Sequence, residues 1–107
     1  MPILSQRQIL EYLSEIKPQL KKDGINGIGL FGSYADGYAD ENSDIDIVVL
    51  ADKEKFLYRL HAFKALDYLD QLKNKISKHF NKPVDICDFY SKQEIEESKI
   101  VKGAIYV

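Results

Sequence analysis

The sequence of 107 residues predicts an α/β (α+β) fold in which helices pack on a small β-sheet. Two observations lead to this prediction. Hydrophobic patterns typical of helices and of strands alternate along the chain in the order α-β-α-β-α-β-α. The chain also contains no internal repeat and no linker rich in Pro, Gly or Ser, and its length suits one domain. We therefore predict that residues 1–107 form a single domain.

The first predicted element is a helix that begins after Ser5 and ends before Gly24. Ser5 followed by Gln8 is typical of a capping box at a helix N-terminus. The apolar residues that recur at helical spacing after it are Ile9, Leu10, Leu13, Ile16 and Leu20. Because Pro18 lacks an amide and crowds the preceding turn, we expect a kink or a break there.

Two strands joined by a tight turn and a loop are predicted next. Ile25–Phe31 reads as a short strand, and its two glycines allow another backbone to approach closely. Gly32 and Ser33 follow at once with one helical turn, and 38–43 is a polar loop. The segment 44–50 is predicted to be a strand because it has a polar start and a β-branched, apolar end.

A long helix is predicted over residues 53–80, since its apolar residues form one wide stripe at helical spacing. The stripe consists of Phe56, Leu60, Phe63, Leu66, Leu69, Leu72, Ile76 and Phe80. A modest basic group marks the end of this helix, namely Lys73, Lys75, Lys78 and Lys82. These lysines are expected to form a solvated face or to contact an acidic partner or nucleic acid.

The last part of the chain is predicted to contain a third strand, a helix and a short terminal strand. Val84–Phe89 alternates in the manner of a strand. Ser91 and Glu94 form a second capping-box pattern, which opens a helix that we expect to continue until Gly103. The residues 104–107 are then predicted to be a terminal strand.

The composition excludes several classes of function. The net charge is 15 − 17 = −2, so no overall basic field favours direct binding to nucleic acid or to an anionic membrane. The chain has neither an apolar run of about 18–20 residues, which a membrane span requires, nor a signal-peptide pattern. A single cysteine, Cys87, and two histidines exclude an internal disulfide and the usual Cys/His zinc site. We expect a cytoplasmic protein.

Two aspartates on the second strand are the first candidates for catalysis. Because successive side chains of a strand point to opposite faces, Asp44 and Asp46 are predicted to share one face, with their Cα atoms about 6–7 Å apart. Two carboxylates in this arrangement repel each other unless a cation lies between them. Oxygen ligands alone suit Mg²⁺ or Mn²⁺. The spacing therefore predicts a divalent metal site.

A Gly-Ser pair upstream of the aspartates is the candidate for phosphate binding. Gly32 allows close approach of the backbone, and the amides and hydroxyl at Ser33 are suited to hydrogen bonds with phosphate. From average composition, Gly-Ser-x10-Asp-x-Asp is expected by chance in about one chain in a thousand of this length. Tyr34 and Tyr38 lie in the same segment and are expected to pack in the loop, to stack on a base or to meet a partner protein.

A third carboxylate is expected if two metal ions are held and a hydroxyl must lose its proton. Asp85 is the best candidate, because it lies early in the third strand between apolar neighbours, where an isolated charge is unfavourable. Alternation places Asp88 on the opposite face of that strand. The residues therefore predict a site formed by Asp44, Asp46 and Asp85.

Two alternatives to a metal–nucleotide site remain open at this point. Asp44 and Asp46 could simply form a solvated strand edge. Asp40-x-Asn42-x-Asp44 also matches the start of a calcium-binding loop, although Ile45 stands at the position where that loop requires glycine.

The segments that carry these residues resemble the nucleotidyltransferase superfamily, which has the DNA polymerase β-like fold. They are GSYADG at 32–37, SDIDIVV at 43–49 and VDI at 84–86. Within the superfamily, the chain looks like the minimal nucleotidyltransferases (MNT or MntA-type) of prokaryotic HEPN–MNT toxin–antitoxin pairs. The resemblance covers nearly the whole chain, and it implies a nucleotidyltransferase fold with a small mixed sheet of three to four strands packed against helices.

The resemblance also implies an activity, which is the magnesium-dependent transfer of AMP from ATP. Asp44, Asp46 and Asp85 would be catalytic and would hold two Mg²⁺ ions, with Mn²⁺ as an alternative, while Gly32 and Ser33 would bind the nucleotide. The acceptor in such pairs is a tyrosine of the HEPN toxin, which the modification silences. The implied function is that of an antitoxin and protein adenylyltransferase, with a HEPN-family toxin as partner and ATP as substrate.

Two rival functions belong to other classes. One is a non-catalytic antitoxin that neutralises its HEPN toxin by binding, and the other is a small-molecule (aminoglycoside-type) nucleotidyltransferase that needs a helical partner domain. The clustered carboxylates favour an enzyme. The stretch from Gly32 to Asp46 contains five acidic residues and no basic one. A triphosphate would therefore depend on the metal ions, or on a lysine from elsewhere in the chain or from a partner.

Overall fold

The sheet of this protein has four strands. In the computed structural model, which describes residues 4–107 but only the backbone of 57–62, the strands lie in the order β3-β2-β1-β4. They span Ile25–Phe31 (β1), Ile45–Ala51 (β2), Val84–Phe89 (β3) and Ile105–Tyr106 (β4). β1 pairs antiparallel with β2 and β4, while β2 pairs parallel with β3. The predicted small mixed sheet is therefore confirmed.

Helices connect the strands and pack on the sheet. They span Gln6–Lys22 (α1), Ser33–Asp36 (α2), Arg59–Phe80 (α3) and Lys92–Glu97 (α4), and π-helical turns at Lys53–Tyr58 lead directly into α3. Within the described residues, no helix is both long enough and apolar enough to cross a membrane.

The predicted start of α1 is confirmed, and of the two effects predicted for Pro18 the break does not occur. The hydroxyl of Ser5 accepts a hydrogen bond from the amide of Gln8, whose side chain accepts one from the amide of Ser5 in return. α1 does not break at Pro18 and continues for four more residues. The reason is packing, because Ile16 and Leu20 on either side of the proline are both buried in the core.

The core has two parts, one on each face of the sheet. The larger part lies between the sheet and the helices α1 and α3, and its fully buried members include Ile9, Leu13, Ile28, Leu30, Ile45, Ile47, Val49 and Ile76. The smaller part lies on the opposite face and consists of Phe31, Val48 and Val101, with Cys87 packed against them. The alternation of side chains along β2 thus supplies residues to both parts.

The predicted apolar stripe of the long helix is wrong at two positions, although its first member, Phe56, is buried as predicted. Leu72 and Ile76 are buried, whereas Phe63 is 87% exposed and Leu66 is 65% exposed. The side chain of Leu60 lies outside the described residues. Ala65, which lies between the two exposed residues in the sequence, is buried like Leu72 and Ile76. The helix face that packs on the core therefore runs through Ala65, Leu72 and Ile76, and Phe63 and Leu66 lie outside it.

The last predicted helix is also shorter than expected. Ser91 caps α4 as predicted, with its hydroxyl accepting a hydrogen bond from the amide of Glu94. α4 ends at Glu97, because the chain after it turns towards the sheet, where Val101 packs in the smaller part of the core. Gly103 has a φ of +81° and lies in a turn, not at the end of a helix.

Candidate active site

The parallel pairing of β2 and β3 determines where the site aspartates lie. Asp46 is the register partner of Asp85, and the amide of Ile45 donates a 3.0 Å hydrogen bond to the carbonyl of Pro83 at the start of both strands. Asp44 directly precedes β2 and shares the face of Asp46 by alternation. Asp46 is half-buried, while Asp44 and Asp85 are exposed. The structure therefore brings the three predicted carboxylates to the end of the sheet where β2 and β3 begin, on one face.

Gly32 lies against one of these carboxylates. β1 ends at Phe31, which is the register partner of Asp46, and Gly32 then adopts a φ of +73°. A Cβ atom at this position would collide with the Oδ2 atom of Asp46 and would lie 3.1 Å from its Cγ. Both the backbone conformation and the space demand glycine here. The Gly-Ser turn and the aspartate strand therefore meet at this point.

Ser33 opens a single helical turn, α2, directly after this glycine. The amide of Asp36 donates to the carbonyl of Gly32 at 3.0 Å, and the amide of Tyr38 donates to the carbonyl of Ser33 at 3.0 Å. The turn ends at Gly37, which has a φ of +85°. Ser33 is half-exposed at the start of the turn, so a hydrogen-bonding group of a ligand has access to it.

The carboxylates of the site repel one another. The pKa of Asp46 is raised above its ordinary value, first by burial and then by the charges of Asp85 and Asp44. The pKa of the Cys87 thiol is also raised, first by burial and then by the charges of Asp46, Asp85 and Asp88. Each of these shifts shows an excess of negative charge in a partly desolvated place.

This excess negative charge suits a divalent cation. The donor atoms are carboxylate oxygens, which are the ligands that Mg²⁺ and Mn²⁺ prefer. In the part of the chain that the structure describes, no group of three or more Asp, Glu, His or Cys side chains is arranged so that it could hold a metal ion. The three aspartates therefore fit a cation by charge and donor type, but they do not form a preformed three-ligand site.

The loop before Asp44 is organised by its own side chains. The Oδ1 atom of Asp40 accepts hydrogen bonds from the amide of Asn42 at 2.8 Å and from the hydroxyl of Ser43 at 3.2 Å. The amide of Asp40 in turn donates to that hydroxyl at 2.8 Å. Because the carboxylate of Asp40 closes this turn, the resemblance to a calcium-binding loop is explained by a turn motif.

The two tyrosines of this region have different environments. Tyr34 is only 3% exposed and belongs to the larger part of the core, so loop packing is the correct interpretation for it. Tyr38 is 85% exposed in the loop. Only Tyr38 is therefore accessible to a base or to a partner.

Two residues that hold this region were not predicted as parts of the site. The Nε2 atom of Gln6 donates to the carbonyls of Tyr34 and Ala35, both at 3.0 Å. The ammonium of Lys82 donates to the carbonyl of Glu41 at 2.9 Å. No local pattern signals these contacts, because the partners are 28, 29 and 41 residues apart in the sequence.

Comparison with known proteins gives a consistent result. The family described as Polymerase beta, Nucleotidyltransferase matches residues 14–107. The chain is 37% identical over 73 residues to the protein adenylyltransferase MntA of Thermococcus cleftensis. The aligned residues cover 67% of this chain and 72% of that protein. The chain is 33% identical over 99 residues to MJ0435 of Methanocaldococcus jannaschii, assigned as a protein adenylyltransferase, which is 92% of this chain and 97% of that protein.

Solved structures share the fold. A mutant form of the MntA–HpeT toxin–antitoxin aligns with a TM-score of 0.55 and 24% identity, over 96% of this chain and 72% of that one. A protein from Sulfolobus solfataricus, assigned as a nucleotidyltransferase, aligns with a TM-score of 0.54 and 20% identity, over 94% of this chain and 80% of that one. At these identities the likeness concerns the fold.

Proposed function

We propose that this chain, which belongs to the polymerase β nucleotidyltransferase family, transfers AMP from ATP to a hydroxyl group of a partner protein. One observation carries the proposal: the carboxylate of Asp46 lies against Gly32 and opposite Asp85. This arrangement supports a cation site that is formed by carboxylates directly beside a turn that suits phosphate. The relatives named as protein adenylyltransferases support AMP as the group transferred and a protein as the acceptor.

Asp44, Asp46 and Asp85 are the residues that would hold magnesium, as two ions, with manganese as a substitute. When bound there, the metal supplies positive charge to the phosphates and lowers the pKa of the attacking hydroxyl. Asp46 is the central ligand, since it is flanked by both other carboxylates and its charge is the one they destabilise. The three aspartates thereby have the same role, which is to provide negatively charged oxygen ligands for the cation.

The remaining chemistry is assigned to residues around the turn. The amides and hydroxyl at Gly32 and Ser33 hold the phosphates beyond the bond that breaks. The acceptor oxygen attacks the α-phosphorus in line, the bond from that phosphorus to the bridging oxygen breaks, and pyrophosphate leaves. Asp85 accepts the proton of the acceptor hydroxyl. Most of the rate then comes from positioning and charge neutralisation.

The acceptor that we propose is a tyrosine of a HEPN-family toxin, with this chain as the antitoxin. The curated MntA relative and the MntA–HpeT toxin–antitoxin structure support a toxin as partner. The exposed side chain of Tyr38 at the rim of the site provides a surface for a protein partner. In this proposal residues 1–107 act as one nucleotidyltransferase domain in the cytoplasm, with ATP as substrate.

Mass spectrometry of the toxin tests the proposal. The chain is mixed with ATP, Mg²⁺ and the toxin encoded beside it, and the toxin is weighed and its modified residue located. We expect one or more AMP groups on a toxin tyrosine, and no gain in mass with Asp44→Asn or without Mg²⁺. A stable complex with no gain in mass, formed equally well by Asp44→Asn, would contradict the proposal and support neutralisation by binding alone.

A further inference from the structure

The segment from Gly32 to Asp44 carries both ends of the candidate site but lies outside the sheet. β1 ends at Phe31 and β2 begins at Ile45, so ladder hydrogen bonds do not fix the residues between them. We propose that Gln6 and Lys82 are positioning residues that hold this segment from outside. The expected effects of these two residues on ATP and Mg²⁺ rest on the proposed function, whereas their hold on the segment does not.

Gln6 holds the helical turn that begins at Ser33. Its Nε2 atom donates to the carbonyls of Tyr34 and Ala35, both at 3.0 Å and in a partly buried setting. The carbonyls at the end of a helical turn have no partner within it, so an external donor is needed. Gln6 is the first residue of α1, whose position is fixed by the Ser5 cap. The position of Ser33 is therefore tied to the start of α1.

Lys82 holds the other end of the segment. Its ammonium donates to the carbonyl of Glu41 at 2.9 Å and lies 6.0 Å from the centre of the Tyr34 ring. Its backbone is fixed, because its carbonyl accepts a 2.6 Å hydrogen bond from the hydroxyl of Ser77 and its amide donates to the Ser77 carbonyl at 3.2 Å. Only two residues, Asn42 and Ser43, lie between Glu41 and Asp44, so this contact restrains the approach of the chain to Asp44.

The two contacts act on different parts of the site. Gln6 acts through α2 on Ser33, which we assign to the phosphates, whereas Lys82 acts through the loop on Asp44, which we assign to the metal. Loss of the first contact should weaken ATP binding, and loss of the second should raise the Mg²⁺ requirement. This difference separates positioning from a general effect on stability.

Methionine variants test the inference, since methionine keeps much of the side-chain volume but donates no hydrogen bond. Gln6→Met is compared with Gln19→Met, and Lys82→Met with Lys78→Met, because Gln19 and Lys78 are exposed residues of the same types. We expect Gln6→Met to raise the KM for ATP about threefold to tenfold, the range that corresponds to one lost hydrogen bond. We expect Lys82→Met to raise the Mg²⁺ concentration for half-maximal rate by a similar factor, and Lys82→Arg to restore it.

Amide hydrogen exchange provides a readout that does not depend on the reaction. Peptides covering 34–43 should exchange faster in Gln6→Met and Lys82→Met than in wild type, while the control variants and the global melting temperature stay unchanged. Unchanged exchange in both variants would overturn the inference whatever the activity. Faster exchange with an unchanged KM and Mg²⁺ requirement would overturn the positioning role. If wild type transfers no AMP, the proposed function fails, and exchange alone then decides whether the two contacts hold the segment.

Discussion

Asp46 and Asp85 lie on strands that pair at six register positions, whereas Gly32–Asp44 lies between two strands and is held by its own turns and by two distant side chains. The mutual position of the first two residues follows from backbone hydrogen bonds of the sheet. The position of the second region depends on single side-chain contacts. We infer that Asp46 and Asp85 form a strand half of the candidate site that the sheet holds rigidly, and that Gly32, Ser33 and Asp44 form a loop half that is adjustable.

The largest expected effect comes from the strand half. Asp46→Asn should lower the rate of AMP transfer about a thousandfold, since it removes the central carboxylate without changing the sheet. The measurement is the initial rate of AMP incorporation into the toxin. Asp88→Asn is the matched control, because it removes the same charge from an exposed position on the other face of β3. A similar loss of rate in both variants would show that net charge, and not this site, is responsible.

The next effect tests the junction of the two halves. Gly37→Ala should destabilise the protein by about 1–2 kcal/mol, because its φ of +85° is unfavourable for alanine while nothing lies within 4 Å of the new Cβ atom. Gly32→Ala has a conformational penalty that is at least as large, because the backbone there has a φ of +73° and a ψ of −153°, and it also collides with Asp46. We expect it to lose a further 1–3 kcal/mol, roughly the effect of overpacking, and most of its transfer activity. Urea unfolding of both variants measures the difference.

Equal destabilisation in these two alanine variants would contradict the contact between Gly32 and Asp46. In that case the two halves of the site would not meet in the way described.

The parts that the sequence predicted are those determined by local chemistry. The cap at Ser5 needs only a hydroxyl three residues before a helix-turn amide, and the bounds of β1 and β3 follow from runs of suitable residues. The shared face of Asp44 and Asp46 follows from alternation alone. That Asp85 lies beside Asp46 does not follow from any local pattern, because it depends on the parallel pairing of β2 and β3.

The parts that were missed depend on contacts between distant residues. The exposure of Phe63 and Leu66 depends on which face of α3 packs on the core, and the face that does so contains Ala65, Leu72 and Ile76. The roles of Gln6 and Lys82 depend on carbonyl acceptors, and every residue has a carbonyl, so no side-chain pattern marks them. Lys82 was expected on a solvated face or at a partner, and it is instead bonded to a loop of its own chain.

The smallest expected effect concerns stability and pH in the absence of divalent cations. The pKa of Asp46 is raised in the folded chain, so the folded state holds this proton more tightly than the unfolded state. Protonation of Asp46 therefore stabilises the folded state at low pH, and this stabilisation is lost as the pH rises through the raised pKa. Asp46→Asn should melt at a higher temperature than wild type at neutral pH, and the gain should vanish near about pH 3, where both states are protonated.

Thermal melting in EDTA at several pH values measures this gain. A lower melting temperature for Asp46→Asn than for wild type at neutral pH would mean that the carboxylate stabilises the metal-free fold, for example through an ion pair. This result would argue against Asp46 as a metal ligand.

The central claim is that Asp44, Asp46 and Asp85 together bind a divalent cation. Titration of the isolated chain with Mn²⁺, followed by electron paramagnetic resonance of the free ion, tests it without ATP or a partner. We expect wild type and Asp88→Asn to bind Mn²⁺ equally and Asp85→Asn to bind it at least about tenfold more weakly, as for the loss of one charged ligand. Binding by Asp85→Asn as tight as that of wild type would contradict the claim.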